Sequence, residues 1–291
     1  MGIILSGLWQ DPRSTLIGTL RRLVHRADGF PRPNETAQRL QELARSVRYI
    51  SAELDGLVRD YPGYPEPLFE RVLVQIDDNR WEAVLATAEY LVQRFGSYLL
   101  SYRLTCRALR HFKRYDEAET LAITAIRRFP TGAAGWEAYA QVAQDQGDMV
   151  TAERRWTIVA RRFPKVMWPR LMVATCRAAN GDREEADRQL RILVEVFPDE
   201  YWVLHHYADM AERRGDFAAA AARWGAVMRK LPGRPDGHER TVKALLRAGD
   251  LRAAVERLDS AAFLFPRDPG VLLARDMVIA AGGKVAPLPG S

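Results

Sequence analysis

The fold is decided by five short stretches, which read RRFP at 127–130, RRFP at 161–164, EVFP at 195–198, RKLP at 229–232 and FLFP at 263–266. Each stretch ends in a proline that lies 34 residues after the proline before it. The same interval leads back to Gly96 and then to Pro62. Because proline cannot continue an α-helix, the period indicates a repeated unit in which a helix ends before each proline.

A second marker, the pair Gly-Asp, keeps the same period. It begins at Gly147–Asp148 and recurs with Gly181, Gly215 and Gly249, and each of these glycines lies 17 residues before a proline. Glycine permits the left-handed conformation that ends many helices. The two markers together predict a unit of helix, turn, helix and break.

Small residues form two columns when the units are aligned. The six units run over 65–98, 99–132, 133–166, 167–200, 201–234 and 235–268. The first-helix column contains Val72, Cys106, Ala140, Ala174, Ala208 and Val242. The second-helix column contains Val84, Ala118, Ala152, Ala186, Ala220 and Ala254. Helices that cross closely need small side chains at the crossing, with larger fillers around them, and the fillers here include Trp156, Leu190, Trp224 and Leu258.

The period, the small columns and the proline resemble the tetratricopeptide repeat family. The unit 133–166 carries the resemblance best, with Trp136, Ala140, Gly147, Ala152 and Pro164 in the family's places. The resemblance covers about three quarters of the chain. It implies an all-α fold, a right-handed α-solenoid of stacked helix-turn-helix repeats.

Several positions depart from the family's pattern. Arg170 and His238 occupy slots that usually hold an aromatic residue or leucine. Asn79 and Lys113 stand in place of the turn glycine, and Gly96 stands in place of the proline. The repeats are still predicted to fill 65–268.

After the repeats, the chain begins one more first helix and then ends. We expect a capping helix within 269–283 and a flexible tail over 284–291. The helix carries a wide apolar run for a cap that faces water, with Leu273 and Met277 among its members. The run predicts that another protein or a second copy of the chain covers this end.

Before the repeats, residues 31–64 follow a different pattern. Their apolar residues alternate spacings of three and four, at Leu40, Leu43, Val47, Ile50, Leu54, Leu57 and Tyr61. The pattern fits a long helix packed on the first repeat, a degenerate repeat or a short coiled coil, and we favour the first two because the seam spans only about three heptads.

The first 30 residues form an amphipathic segment. A helix is expected from residue 11 to about residue 27, with apolar Leu16, Ile17, Leu20, Leu23 and Val24, and with basic Arg21, Arg22 and Arg26. Such a helix is compatible with an anionic membrane, with a partner or with the solenoid itself. A single short helix binds membranes weakly, so docking on protein is favoured over a peripheral membrane anchor.

The composition is that of a soluble globular protein, with a net charge of +6 and a pI of about 9.5. Nucleic-acid binding is not favoured, because many basic residues fall in last helical turns, where the helix dipole favours cations. Cys106 and Cys176 lie two repeats apart and are expected to be free, buried thiols of a reducing compartment. The apolar start is too short for a secretory signal or a membrane span, so we expect a cytoplasmic protein, with a peripheral position at the inner face of the membrane as the alternative.

No catalytic motif stands out in the sequence. His205 and Asp209 share a helix face but lack a third metal ligand. Phosphate loops, nucleophile elbows and paired catalytic carboxylates are missing from the sequence. We therefore expect a protein without enzymatic activity, cofactor or metal.

The resemblance implies that the inner surface, formed mainly by first helices, binds a protein or peptide segment. The residues predicted to bind are Arg103, Arg107, Arg110, His111, Gln141, Trp168, Trp202, His205 and Asp209. The three arginines are spaced by four and three, which places them on one helix face and suits an acidic segment. The alternatives are a solvated face balanced by Glu137 and Asp145, and tryptophans that only pack between repeats.

The sequence therefore favours a scaffold that holds a partner within a larger assembly of a bacterium, an origin suggested by its arginine-rich composition. One alternative is a membrane assembly factor anchored by residues 1–27. Another is an accessory subunit that positions an enzyme such as a glycosyltransferase.

Overall fold

A computed structural model describes residues 55–56, 58–59, 62–63 and 65–287 of the chain. The amphipathic segment of residues 1–30 and the apolar seam at Leu40 to Tyr61 lie outside the described residues. Of the region before the repeats, Val58 packs against the first core cluster and Asp55 forms a 3.0 Å ion pair with Arg71. Residues 288–291 are also outside the described part.

The described residues fold into thirteen α-helices and no strand. The helices are α1 (Glu66–Asp77), α2 (Trp81–Arg94), α3 (Leu99–His111), α4 (Tyr115–Arg128), α5 (Ala133–Asp145), α6 (Met149–Arg162), α7 (Met167–Ala179), α8 (Arg183–Val196), α9 (Tyr201–Arg213), α10 (Phe217–Lys230), α11 (Pro235–Arg247), α12 (Leu251–Leu264) and α13 (Pro269–Ala280). Odd-numbered helices are the first helices of the repeats and even-numbered helices are the second, while α13 is the capping helix. The prediction of an all-α solenoid is confirmed.

The chain divides into two compact units, Met1–Val142 and Ala143–Ser291, here called unit 1 and unit 2. Within unit 1 the helices α1 to α4 pack successively, and within unit 2 the helices α6 to α13 do the same. The domain boundaries drawn from the sequence stay predictions.

The two columns of small residues are buried as predicted. Every member of the first-helix column and of the second-helix column is at most 1% exposed. The fillers Trp156, Leu190, Trp224 and Leu258 are equally buried. This burial is consistent with the predicted alignment of the repeats, because a shift by one residue would turn these columns toward solvent.

The turns between paired helices share one backbone conformation whether or not they contain glycine. Gly147, Gly181, Gly215 and Gly249 have positive φ, and so do Asn79 and Lys113, at 57° and 58°. The Lys113 amide donates to the Arg110 carbonyl at 3.0 Å, as the Gly249 amide donates to the Leu246 carbonyl at 3.1 Å. The hydrogen bonds of the turn therefore hold the left-handed conformation where the glycine is missing.

The aspartate of each Gly-Asp pair caps the helix that follows. The carboxylates of Asp148, Asp182, Asp216 and Asp250 accept from the amides of Thr151, Glu185, Ala219 and Ala253. In unit 1, Arg80 and Arg114 stand at the corresponding positions and provide no side-chain cap. Only unit 2 has side-chain caps at these turns, and such a cap typically stabilises a helix by about 1 kcal/mol.

The unusual His238 fits the slot that it occupies. Its side chain is buried at 5% exposure, and its ring lies edge-on to Phe265 at 5.2 Å between centroids. Nε2 lies 3.3 Å from the Pro232 carbonyl oxygen. The imidazole thus packs as an aromatic ring and satisfies one polar atom.

The capping helix α13 buries one face and exposes another. Val271, Ala274 and Val278 are buried, whereas Leu273 is 53% exposed. The tail was expected to be flexible from 284, but its first residues make specific contacts. Val285 packs on the core of the last repeat, and the Ala286 carbonyl accepts from Arg275 at 2.6 Å.

Candidate partner-binding faces

The cationic face of unit 1 comprises Arg103, Arg107 and Arg110 of α3. The helix carries them at spacings of four and three, so all three lie on one side, as predicted. Each side chain is half-buried. The charge of Arg110 acts on both Arg103 and Arg107, and the charge of Arg103 also acts on Arg107.

The surroundings of this face disfavour its positive charge. Burial lowers the pKa of Arg103, and Arg110 lowers it further, although Glu137 acts in the opposite direction. Burial also lowers the pKa of Arg107, as do Arg110 and Arg103, against the opposing effect of Asp77. An arginine stays protonated in proteins, so these shifts express mainly the cost of burying a guanidinium charge.

An aromatic border adjoins the cationic face. The rings of Trp81 and His111 stack at 3.9 Å between centroids with an interplanar angle of 9°. The guanidinium carbon of Arg107 lies 5.8 Å from the centroid of the Trp81 ring. Asn79, the residue of the left-handed turn, accepts a 2.8 Å hydrogen bond from Trp81 Nε1. The stack gives unit 1 a flat apolar surface beside its cations.

Sequence reasoning missed two residues of this site, Trp81 and Asp77. Trp81 opens a second helix, whereas the predicted surface was drawn from first helices. The sequence feature that could have indicated Trp81 is the run Asn79, Arg80 and Trp81, which stands where later repeats have a glycine, an aspartate and the start of the second helix. Gln141 of α5, which was predicted to bind, is half-buried, and its role stays a prediction.

The candidate face of unit 2 is centred on Trp202 of α9. The side chain is 50% exposed, and its ring contacts are to Tyr201 at 5.0 Å and to His205 at 5.8 Å. Within residues 143–287, Trp168 is half-buried and makes no ring contact with Trp202. The roles of Trp168 and Trp202 in binding stay predictions.

His205 and its neighbour His206 are held in their neutral forms. Burial lowers the pKa of His205, and the nearby Arg240 lowers it further. Burial and the adjacent His205 lower the pKa of His206 to about 4. His205 packs edge-on to the buried Trp224 at 5.1 Å, so it serves as an aromatic neighbour rather than as a cation at neutral pH.

Asp209 is already engaged within the chain. Its carboxylate accepts from Arg213 at 2.6 Å and lies 3.9 Å from Arg240, which also pairs with Glu212 at 3.4 Å. The Arg240 guanidinium carbon lies 4.9 Å from the Trp224 ring centroid. Asp209 therefore holds the first helices of adjacent repeats together, and its predicted role in binding stays a prediction.

The described residues offer no site for metal or thiolate chemistry. Residues 65–287 contain no group of three or more histidine, cysteine and acidic side chains placed to hold a metal ion. Burial raises the pKa of the Cys106 thiol to about 12 and that of Cys176 to about 11. Both thiols stay protonated at neutral pH and are poor nucleophiles. None of the described helices has the length and apolar character needed to cross a membrane.

The repeats and their exposed first-helix faces define an α-helical scaffold, a fold typical of protein–protein interaction. Residues 174–235 match the family model described as Tetratricopeptide repeat. No curated protein matches the chain by sequence. This match and the structures below support the resemblance to tetratricopeptide repeat proteins seen in the sequence.

Solved structures share this fold at low sequence identity. Yeast Tom70 matches with a TM-score of 0.63 at 15% identity over 80% of this chain and 49% of that chain. PilW, described as a widely conserved type IV pilus biogenesis factor, matches with a TM-score of 0.56 at 14% identity over 72% of this chain and 96% of that chain. A chain of the APC/C hetero-tetramer Cut9-Hcn1 matches with a TM-score of 0.53 at 14% identity over 81% of this chain. This chain covers 46% of that Cut9-Hcn1 chain, so two of the three matches span about half of the neighbour.

Proposed function

We propose that the protein is a non-enzymatic scaffold that binds an acidic segment of a partner through the cationic face of unit 1. The partner would belong to a larger cytoplasmic assembly of a bacterium. The fold supports a role in protein–protein interaction, and the charge of this face supports the acidic character of the segment. Trp202 is proposed as a second contact, in unit 2.

The observation that carries the proposal is the arrangement of Arg103, Arg107 and Arg110, whose half-buried side chains share one face of α3. Burial is the main reason that the pKa of Arg103 and of Arg107 is lowered, and the charges of Glu137 and Asp77 oppose this effect. A carboxylate supplied by a partner would offset the repulsion and accept paired hydrogen bonds from the guanidinium groups.

The aromatic stack of Trp81 and His111 indicates a second property of the partner's acidic segment, namely apolar side chains. Trp81 and His111 form a flat apolar surface beside Arg107. A ligand that places an apolar side chain next to its carboxylates would contact both parts of the site. We therefore expect a segment in which acidic and apolar residues alternate, rather than an unbroken acidic run.

The test uses a peptide of about twelve residues that alternates glutamate and leucine, and a matched peptide in which glutamine replaces glutamate. Titration calorimetry with the full chain should show binding of the first peptide only. Binding should weaken between 0.1 M and 1 M salt, because the screening length falls from about 10 Å to about 3 Å.

Variants locate the binding site. Replacing Arg103, Arg107 and Arg110 together with glutamine should abolish binding without lowering the melting temperature. The matched control replaces Arg127, Arg161 and Arg191, which are exposed residues of second helices, with the same loss of charge. Full binding by the first triple variant, or equal losses in both, would refute the cationic face as the site.

A further inference from the structure

Unit 1 has a groove between the second helices α2 and α4. The groove has a volume of about 520 Å³, and α3 forms its floor. Val92, Leu109 and Leu121 supply apolar lining, whereas Glu89, Asp116 and Glu117 supply acidic lining. It is therefore distinct from the cationic face, which α3 presents with other residues.

The corresponding place in unit 2, between α8 and α10, is filled by the chain itself. Three repeats after Thr105 and Leu121 the sequence has Tyr207 and Arg223. The Arg223 guanidinium lies 3.6 Å from the Tyr207 ring centroid and bonds to both carboxylate oxygens of Asp187, at 2.5 Å and 3.0 Å. An arginine thus closes this space in unit 2.

A second inter-helix space in unit 2, between α6 and α8, is closed in the same way. Arg177 rises from the floor helix α7 and pairs with Glu153 at 2.7 Å and with Glu185 at 3.4 Å. Two repeats earlier, the groove of unit 1 has Glu117 in the place of Glu185 but Leu109 in the place of Arg177. The groove therefore keeps an acidic wall while its floor provides no guanidinium.

The groove contains one arginine at its edge, which leaves an excess of negative charge. Arg114 pairs with Glu117 through two hydrogen bonds of 2.7 Å and lies 3.6 Å from Glu89. Three carboxylates against one guanidinium give the groove a local charge of about −2. A ligand for this surface should combine basic side chains with apolar ones.

We propose that the groove binds residues 11–27 of the same chain. Its sequence spaces Leu16, Leu20 and Leu23 by four and three and carries Arg21, Arg22 and Arg26, residue types that match the apolar lining and the acidic walls. The segment is joined to the repeats by residues 31–64, which span roughly 50 Å if they form the long helix expected from their sequence. Docking would supply in unit 1 the guanidinium that Arg177 and Arg223 supply in unit 2.

The primary experiment joins the segment to the groove in the full chain. Leu20→Cys is combined with Thr120→Cys, an exposed position on the groove wall, and mild oxidation is followed by peptide mass spectrometry. The native thiols do not interfere, because Cys106 and Cys176 are buried. The matched control combines Leu20→Cys with Ala222→Cys, the exposed residue three repeats after Thr120 in the filled space of unit 2.

The expected result is an intrachain disulfide that forms at least about tenfold faster with Thr120→Cys than with Ala222→Cys. Equal rates would refute the proposal. A disulfide mainly between two chains would also overturn it, in favour of docking on a second copy.

A charge exchange tests the acidic wall independently. Glu117→Lys should slow formation of the Leu20→Cys and Thr120→Cys disulfide, and adding Arg22→Glu should restore part of the rate. Glu184→Lys, at an exposed site on α8, is the matched control and should leave the rate unchanged. No change with Glu117→Lys in a protein that keeps its helicity would exclude charge complementarity as the basis of docking.

Discussion

Unit 1 and unit 2 build the same repeat with different side chains. At the position where unit 2 has the large buried residues Trp156 and Trp224, unit 1 has Ala88 and Ala122. Unit 2 caps its second helices with aspartate and fills two inter-helix spaces with arginine, whereas unit 1 has neither feature. Both candidate recognition surfaces of unit 1, its cationic face and its groove, occur where these stabilising features are missing.

The difference suggests that the repeat tolerates the loss of individual interactions as long as its small columns stay buried. Val72 and Cys106 of unit 1 are as inaccessible as Ala174 and Ala208 of unit 2. The helix crossings therefore define the fold, and the fillers, caps and ion pairs adjust stability. A unit that lacks these large fillers, caps and ion pairs keeps surface that a ligand can contact.

The largest expected effect is in the filler column of unit 2. Trp224→Ala should lower the free energy of unfolding by about 3–5 kcal/mol, because the side chain is fully buried and alanine leaves a cavity. Urea denaturation followed by circular dichroism measures the change without relying on tryptophan fluorescence. A loss below about 1 kcal/mol would show that the helices of unit 2 can close the space left by the tryptophan side chain, so that alanine is accommodated there as it is in unit 1.

An intermediate effect should be equal in the two units. Ala118→Leu in unit 1 and Ala186→Leu in unit 2 should each cost about 1–3 kcal/mol, since both enlarge a fully buried helix crossing. Ala222→Leu, at an exposed site of α10, is the control and should change stability by less than about 0.5 kcal/mol. A tolerated change in unit 1 alone would mean that its crossings are looser than those of unit 2.

A pH effect should distinguish unit 2. The pKa of His206 is lowered to about 4, whereas an unfolded histidine titrates near 6.5. As the pH falls from about 6.5 toward about 4, the unfolded chain binds a proton that the folded chain does not, so stability is lost.

His206→Gln should remove about 1–2 kcal/mol of that loss. The free energy of unfolding of parent and variant is compared by urea denaturation at pH 8 and again at pH 4.5. At pH 8 the histidine is neutral in both the folded and the unfolded chain. Equal pH dependence in the two proteins would contradict the assignment to His206.

The smallest effects concern the turns. Gly181→Ala should cost about 1 kcal/mol, because alanine adopts positive φ with strain. Lys113→Gly should gain about 0.5 kcal/mol, because glycine removes the same strain but adds freedom to the unfolded chain. Thermal melts of the two variants and of the parent protein measure both changes in stability. A loss with Lys113→Gly would mean that the lysine side chain contributes more than its backbone strain costs.

The sequence predicted the helical repeat because its markers act locally. Proline, glycine and the small columns each restrict the backbone or the crossing at their own position, so their period could be read directly. The turn at Lys113 could not be predicted from local preference, since lysine rarely adopts positive φ. There, the hydrogen bonds of the flanking helices decide the conformation.

The candidate sites were predictable only in part. One helix face brings Arg103, Arg107 and Arg110 together, so spacing sufficed to group them. The influence of Asp77 and Trp81 comes from another repeat, and it depends on packing that the spacing within α3 does not contain. The groove between α2 and α4 exists because no large side chain fills the space between these helices. That space could be recognised in the sequence only by comparison with unit 2, where Arg177 and Arg223 fill the equivalent spaces.

The local packing of the helices has a mechanical consequence. Within each unit, substantial contacts join helices that are adjacent along the chain or separated by one helix. Tension applied at the two ends would therefore peel helices away pair by pair rather than break the whole core at once. Each released repeat of 34 residues would lengthen the chain by roughly 110 Å. In an optical trap, the helix pairs of unit 1, which lack side-chain caps, would unfold at lower force than the capped helix pairs of unit 2. The chain would therefore lengthen in successive steps at increasing force.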